Sequence, residues 1–528
     1  MCLSTSSRDS SPPPRFGNIS AILPTVKRLI ALLTPIHRYI GLVFCVIFVI
    51  WFASGLVMIY ARMPQYDPAE RVARLSALAP TSIHLTPAEA LEHAQLGEAP
   101  ARMRLSTYRG RPVYRFLVQG EWVTVFGDDG SVLEALDTDA ALDVVRDAFP
   151  EQRATAHVVH TLREPDQWTI ETAVRTTGPL HVISLGDSES TDVYVAANTG
   201  EIAMKTDRTS RFWGYAGPVM HWFYFRPLRV RGPLWANLIV YGSLIGCVLC
   251  VLGLVIGLYR YSVSRRLRHG LSSTPYVGWL RWHHYAGLTF GLITLTWVFS
   301  GMLSMEPWGV TEDTAPERDQ LIAVRGTGID ASRFTVTPEQ ALDALGRGPD
   351  DAQGGPFGPA KELDLIQFMG SPFYRAQDPA GRTLLVTADR RPMLKSGFSE
   401  AELLVAAGAA MPNTRTREIE WLTAYDSYYY DRAAERPLPV LRVKYADAAG
   451  SWLYLAARDG GLIQRETARG RRVRWLYHGL HSLDFPGLYQ AGWVWNIIIV
   501  GLCTGGLLLS MTSVIVGFRF LRKSYTDK

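Results

Sequence analysis

Four stretches of the chain carry no charge over a length that can cross a bilayer. They are Tyr39 to Ala61, Leu234 to Tyr259, Tyr285 to Met305, and a run within Phe485 to Phe518. A bilayer core needs about 20 helical residues, so each run predicts a membrane helix. The polar segments between them are long, short and long. The pattern predicts a disordered cytoplasmic N-terminus at 1–35, helices at 36–61, 234–260, 283–306 and 490–518, polar domains at 62–212 and 307–474, interfacial segments at 213–233 and 475–489, a basic loop at 261–282 and a tail at 519–528.

The polar domains read as α+β. Leu85-Thr86-Pro87-Ala88-Glu89-Ala90-Leu91 predicts a short capped helix, and residues 337–342, Thr-Pro-Glu-Gln-Ala-Leu, again read as a helix start that opens with Thr-Pro. Strands are expected at 112–118, 121–126, 191–195, 372–375 and 452–455. Turns are expected at Asp128-Asp129-Gly130, Asn198-Thr199-Gly200 and Asp459-Gly460-Gly461.

The halves also match residue by residue. His37-Arg38-Tyr39-Ile40-Gly41-Leu42 aligns without a gap on His283-His284-Tyr285-Ala286-Gly287-Leu288, Trp51 on Trp297, and Ser54-Gly55 on Ser300-Gly301. The expected fold class is therefore a membrane α+β protein: a four-transmembrane-helix bundle with two large periplasmic α+β domains, arranged as a tandem duplication. Charge sets the expected topology. The 260–282 segment has five arginines and no acid, and Arg519, Arg522 and Lys523 follow the last run. Cytoplasmic loops concentrate Lys and Arg, which puts both termini and the basic loop inside and both large domains outside, with the chain in the inner (cytoplasmic) membrane.

Composition adds little to this. A net charge of +5 over 528 residues does not argue for nucleic acid. The five cysteines are Cys2 and four within apolar runs, so no disulfide framework is available. Cys247 and Cys250, spaced CxxC inside a membrane run, read as packing residues.

The chemistry lies in the histidines. His37 and His283 are equivalent by the repeat and share one depth at the cytoplasmic face, with His284 beside the latter. His221, in Met220-His221-Trp222-Phe223-Tyr224-Phe225, aligns on His481, in Leu480-His481-Ser482-Leu483-Asp484-Phe485, and each precedes a membrane run at its outer end. Two imidazoles at one depth on two helices can hold a single iron axially, as in b-type haem. No Cys-x-x-Cys-His is present, which excludes covalent c-type haem. The expected haem-iron ligands are His37, His283, His221 and His481, serving two haems. His283 is preferred over His284 because His284 stands where the first half has Arg38. A helix of about 23 residues spans about 35 Å, so an electron path between two such haems needs them set inward or joined by aromatic side chains. A histidine beside Arg and Trp at a membrane edge also serves as an interfacial anchor, and the tryptophans and tyrosines crowding the helix ends read as an aromatic belt. His478 and His481 (i, i+3) could share a helix face, but the first half has no matching pair. His157 and His160 read as part of a polar surface helix, and His84, His93, His181 and His269 receive no role.

These stretches, together with Arg281-Trp282-His283-His284 and Trp297-Val298-Phe299-Ser300-Gly301, resemble the PepSY-associated transmembrane helix family, and the outer domains resemble PepSY units. The likeness covers about 30 to 525. It implies an inner-membrane haem oxidoreductase for iron uptake, reducing ferric iron from a ferric-siderophore substrate on the periplasmic side. Some relatives carry a fused flavin/NAD(P)H domain. Here no glycine-rich dinucleotide loop is visible, so a separate electron donor, a quinol or a reductase, is expected. Two other classes stay open: a non-redox periplasmic PepSY binding or regulatory membrane protein, and a metal permease. A permease for a hard cation would want oxygen ligands, and no carboxylate recurs beside these histidines in both halves.

Overall fold

The computed structural model describes residues 19–170, 178–262, 273–309, 315–348, 357–378, 382–431 and 434–526. Cys2, the Ser/Pro stretch at 10–14, and Arg265, Arg266, Arg268 and His269 of the basic loop lie outside them. In chain order the main elements are α1 (Ile19–Met58), α2 (Pro68–Arg74), α3 (Pro87–His93), β1 (Arg102–Tyr108), β2 (Arg111–Val118), β3 (Glu121–Phe126), α4 (Thr138–Ala148), β4 (His157–Leu162), β5 (Leu180–Ser184), β6 (Asp192–Ala196), β7 (Ile202–Thr206) and α5 (Arg208–Gly214). Next are α6 (Gly232–Arg260), α7 (Gly278–Leu303), α8 (Arg318–Arg325), α9 (Pro338–Arg347), β8 (Leu363–Phe368), β9 (Ser371–Gln377), β10 (Thr383–Thr387) and β11 (Leu394–Lys395). The chain closes with α10 (Glu400–Ala410), β12 (Thr416–Leu422), β13 (Val440–Tyr445), β14 (Trp452–Ala456), β15 (Leu462–Glu466), α11 (Ala468–Arg474) and α12 (Trp493–Thr526).

Two compact units result. Residues 1–53, 241–299 and 500–528 form a helical one, and residues 54–240 and 300–499 form one that holds the sheets. The protein is a membrane α+β protein: α1, α6, α7 and α12 contain spans long and apolar enough to cross a bilayer, Val26–Met58, Gly232–Arg260, Gly278–Leu303 and Trp493–Tyr525.

In the helical unit, α1 starts at Ile19, so residues 19–35 correct the expectation of a disordered N-terminus there. Val26, Ile30 and Leu33 recur at helical spacing, and Ile30 is buried. Phe44 and Phe48 of α1 pack with Leu249 of α6 and Val298 of α7. On α12, Gly505 and Gly506 are adjacent and receive the rings of Phe290 and Phe52, and a Cβ at either position would overlap its ring. Small residues of this kind let membrane helices approach closely, since lipid offers no hydrophobic drive for their association.

The other unit is built from hairpins. A seven-stranded antiparallel sheet has the order β11-β10-β9-β8-β1-β2-β3, and two four-stranded sheets have the orders β4-β5-β6-β7 and β12-β13-β14-β15. The large sheet is continuous because β1 pairs with β8, placing Arg104 opposite Asp364. One core serves both of its parts: Leu105, Tyr114 and Phe116 pack with Leu363, Leu365 and Tyr374, and α3 and α9 add Ala90, Ala341 and Leu345. Those two helices begin at reciprocal caps, Thr86 with Glu89 and Thr337 with Gln340. The Asp128-Asp129-Gly130 turn requires glycine: Gly130 has φ +76°, and a Cβ there would stand 2.6 Å from the His93 ring. His157 and His160 lie on strand β4, not on a helix, with a register shift between Val158 and His160. Spacing of three fits both structures when a bulge intervenes.

Candidate functional site

The expected histidines fall into two groups. In the helical unit a cavity of about 440 Å³ is lined by His37 of α1, His283 and His284 of α7, and mostly apolar neighbours. Glycines from four helices also line it, among them Gly41, Gly253, Gly287 and Gly517. Their missing side chains help to leave the space open. At Gly253 a Cβ would stand 2.8 Å from His37 Cε1, so this glycine is what lets the imidazole lie against α6.

The hydrogen bonds fix the rings. His37 Nδ1 lies 3.2 Å from the Leu249 carbonyl. A carbonyl only accepts, so Nδ1 carries the proton and Nε2 carries the lone pair. His283 Nδ1 lies 3.3 Å from both Thr512 Oγ1 and Ser513 Oγ. Each hydroxyl donates its own hydrogen to the Leu509 carbonyl, so each can only accept from His283, and the same tautomer follows. Among the described residues neither Nε2 has a hydrogen bond. His284 differs. Its Nδ1 meets Thr274 Oγ1 at 2.7 Å and its Nε2 meets the Gly257 carbonyl at 2.8 Å. Both nitrogens are engaged, and the ring ties α7 to α6 and to the segment before α7.

The second pair belongs to the other unit. His221 and His481 face each other with ring centres 6.2 Å apart and planes at 67°. Each is held through Nδ1 by a serine near the end of a long helix: Ser54 Oγ at 3.2 Å for His221 and Ser300 Oγ at 3.1 Å for His481. The next residue is glycine in both cases. A Cβ at Gly55 or Gly301 would lie 3.4 or 3.3 Å from the Cε1 of the corresponding imidazole.

The segments that carry these rings have the same construction. A π-helical turn, Tyr215–Val219 or Trp475–Gly479, widens the helix just ahead of the histidine, a distortion often found at functional sites. Two residues after the histidine, Phe223 and Leu483 take left-handed backbone, at φ 52° and 54°. The indole N–H groups of Trp235 and Trp495 then donate to the carbonyls of Trp222 and Ser482, at 2.8 and 2.9 Å. His478 turns elsewhere, packing its ring on Tyr430 and Tyr477. Among the described residues no group of three or more His, Cys, Asp or Glu side chains is placed to hold a metal ion.

The family model for the PepSY-associated TM region matches residues 34–519. The chain belongs to this family. No curated protein matches it. The match runs through all four long helices and both histidine pairs. Recurrence in the sequence marks the four histidines but does not reveal what holds them. Ser54-Gly55 and Ser300-Gly301 were visible as a repeated pair, and only the fold gives them a role. Gly253, Thr512 and Ser513 lie more than 200 residues from the rings they support and leave no local signal.

Proposed function

We propose that this chain is a haem-containing inner-membrane oxidoreductase that reduces ferric iron, delivered as a ferric siderophore, during iron uptake. The observation that carries the haem reading is the spacing of His221 and His481. A metal–imidazole bond of about 2 Å sets two coordinating ring centres about 6 Å apart across one metal, and these rings stand at 6.2 Å. Metal-ligating histidines usually engage their second nitrogen in a hydrogen bond, and Ser54 and Ser300 do this here.

The residues around the other pair also fit haem b. His37 and His283 share one apolar cavity, both in the tautomer that presents Nε2, and the glycines beside them leave room for a flat macrocycle. Bound at the two pairs, haem b would supply a one-electron carrier at each. The protein's part is to hold the rings, fix their tautomers and exclude water. A tandem duplication accounts for the two Ser–His pairs, the two π-turns and the two Trp–carbonyl bonds. The ferric-siderophore substrate and a separate donor, quinol or reductase, follow from the family resemblance, an associational warrant. The inside placement of both termini follows from the basic residues around 260–282 and 519–523.

The test is the absorption spectrum of the purified full chain. Soret and α-bands of b-type haem are expected on reduction, and part of the α-band should vanish in His221→Ala and in His481→Ala. A folded, colourless protein from haem-replete cells would end the reading. If haem is present, oxidation of the reduced protein by a ferric hydroxamate or ferric citrate tests the substrate.

A further inference from the structure

The cavity shared by His37 and His283 is mostly apolar, yet one charged side chain opens into it. Arg38, the residue after His37, lines the cavity and is exposed at its edge. No other lysine or arginine, and no aspartate or glutamate, lines it among the described residues, so the guanidinium has no counter-charge on the wall. It lies over the Phe520 ring of α12, 4.8 Å from the ring centre, and Phe520 lines the same cavity. Stacking of this kind holds a guanidinium in place and leaves its N–H edge free for an acceptor.

Most other donors on the wall are spent. Thr34 and Thr294 donate to the carbonyls of Ile30 and Phe290, and Ser510 and Ser513 to those of Gly506 and Leu509, each one turn back along its own helix. His37 and His283 each use Nδ1, and His284 uses both nitrogens. Arg38 and the Tyr276 hydroxyl are the strong donors that remain. They also mark one end of the cavity, since Tyr276 stands two residues before α7 begins. In the other direction the wall reaches Phe48 and Thr294, each eleven residues past the histidine of its helix, or about 16 Å along the axis.

Haem b has an apolar edge of vinyl and methyl groups and an opposite edge with two propionates. A carboxylate brought into an apolar cavity needs a counter-charge, and arginine meets a carboxylate with two parallel N–H donors. We infer that Arg38 binds a haem propionate and so sets which way the macrocycle faces, with the propionate edge toward Arg38 and Tyr276 and the vinyl edge toward Phe48. This rests on the haem reading proposed above. It also breaks the symmetry of the repeat, because His284 stands at the matching place in the second half and its ring is committed to Thr274 and the Gly257 carbonyl.

Redox potentiometry of the purified full chain, followed at the haem α-band, tests it. In Arg38→Gln the α-band should persist and one haem transition should move to lower potential, because loss of a positive charge disfavours the reduced, more negative haem. The reduction equilibrium should change about tenfold, which is about 59 mV for one electron. Arg38→Lys keeps the charge and should show less than half that shift. The shift should also appear in a His221→Ala background, which breaks the other histidine pair. Loss of part of the α-band in Arg38→Gln but not in Arg38→Lys would equally support the assignment, since charge is what the lysine restores. An unmoved potential in Arg38→Gln, a shift that vanishes in the His221→Ala background, or the same change in both Arg38 variants would overturn it, leaving Arg38 as an anchor at the membrane edge or a partner of lipid phosphate. A parent protein without b-haem bands would instead overturn the haem reading, and this assignment with it.

Discussion

Arg104 and Asp364 stand opposite one another in the register of β1 and β8, and the Arg104 Nε–H donates to Asp364 Oδ1 at 3.2 Å. This contact sits at the junction that turns two three- and four-stranded sheets into one of seven. The two positions occupy matching places in the two polar regions, so a pairing of identical halves would set like charges face to face. Unlike charges here favour the pairing of one region with the other. Asp364 also accepts from Arg375 at 2.6 Å. Asp364→Ala removes the counter-charge of two mostly buried guanidiniums, and a destabilisation of about 3 kcal/mol is expected. Thermal melting of the full chain should show it. In a double-mutant cycle with Arg104→Ala the two losses should fall short of additive by about 1 kcal/mol. Strict additivity would show that the pair does not couple the sheets.

The same network sets an acid limit. Burial pushes the Asp364 carboxyl up, but Arg375 and Arg104 outweigh it and hold the group below the ordinary carboxylate range. Glu201 follows the same pattern, with Arg115, Arg104 and Arg71 outweighing burial. A carboxyl depressed by folding contributes stability that is complete above its unfolded value, about 4, and is lost as the pH falls through the lower folded value. Stability of the sheet unit should therefore hold down to about pH 4 and decline below it. Asp364→Asn should lower stability at neutral pH and flatten that decline. Parallel pH profiles of the melting temperature for parent and variant would refute the assignment.

How far the sequence foretold this can be traced through particular residues. The long helices were legible because their uncharged runs exceed a bilayer's need, and the caps at Thr86 and Thr337 because the Thr-Pro start is local. The β1–β8 junction was not legible: nothing near Arg104 says that its partner lies 260 residues on. At the site, recurrence singled out His37, His283, His221 and His481, since an imidazole repeated at one register is hard to explain by composition. Their supports were hidden. The Leu249 carbonyl and Gly253 act through backbone and through a missing side chain, neither of which a residue name announces.

Helix packing gives another test. Gly506 of α12 receives the Phe52 ring of α1, and Gly505 beside it receives Phe290 of α7. Gly506→Val would force the ring out of its place, at a cost of about 1–3 kcal/mol for overpacking. The purified variant should melt at lower temperature, and combining it with Phe52→Ala should restore part of the loss by making room. No recovery in the double variant would mean that Gly506 matters for some reason other than this contact.

The adjacent histidines of α7 separate ligation from structure. His283 has Nδ1 on Thr512 and Ser513 and presents Nε2, whereas His284 has both nitrogens engaged, with Thr274 and with the Gly257 carbonyl. The variants should therefore fail differently. If haem b is held here as proposed, His283→Ala should lose the bands of this cavity, and imidazole added to the purified protein should restore part of them. His284→Ala should keep the bands and lose two buried hydrogen bonds, about 2 kcal/mol in all, seen as a lower melting temperature. His284→Gln, which keeps a donor and an acceptor on a side chain of similar reach, should recover part of that loss. If His284→Ala abolished the bands while His283→Ala kept them, the tautomer argument would be wrong and the ring now seen bridging α6 and α7 would have to turn into the cavity when haem binds.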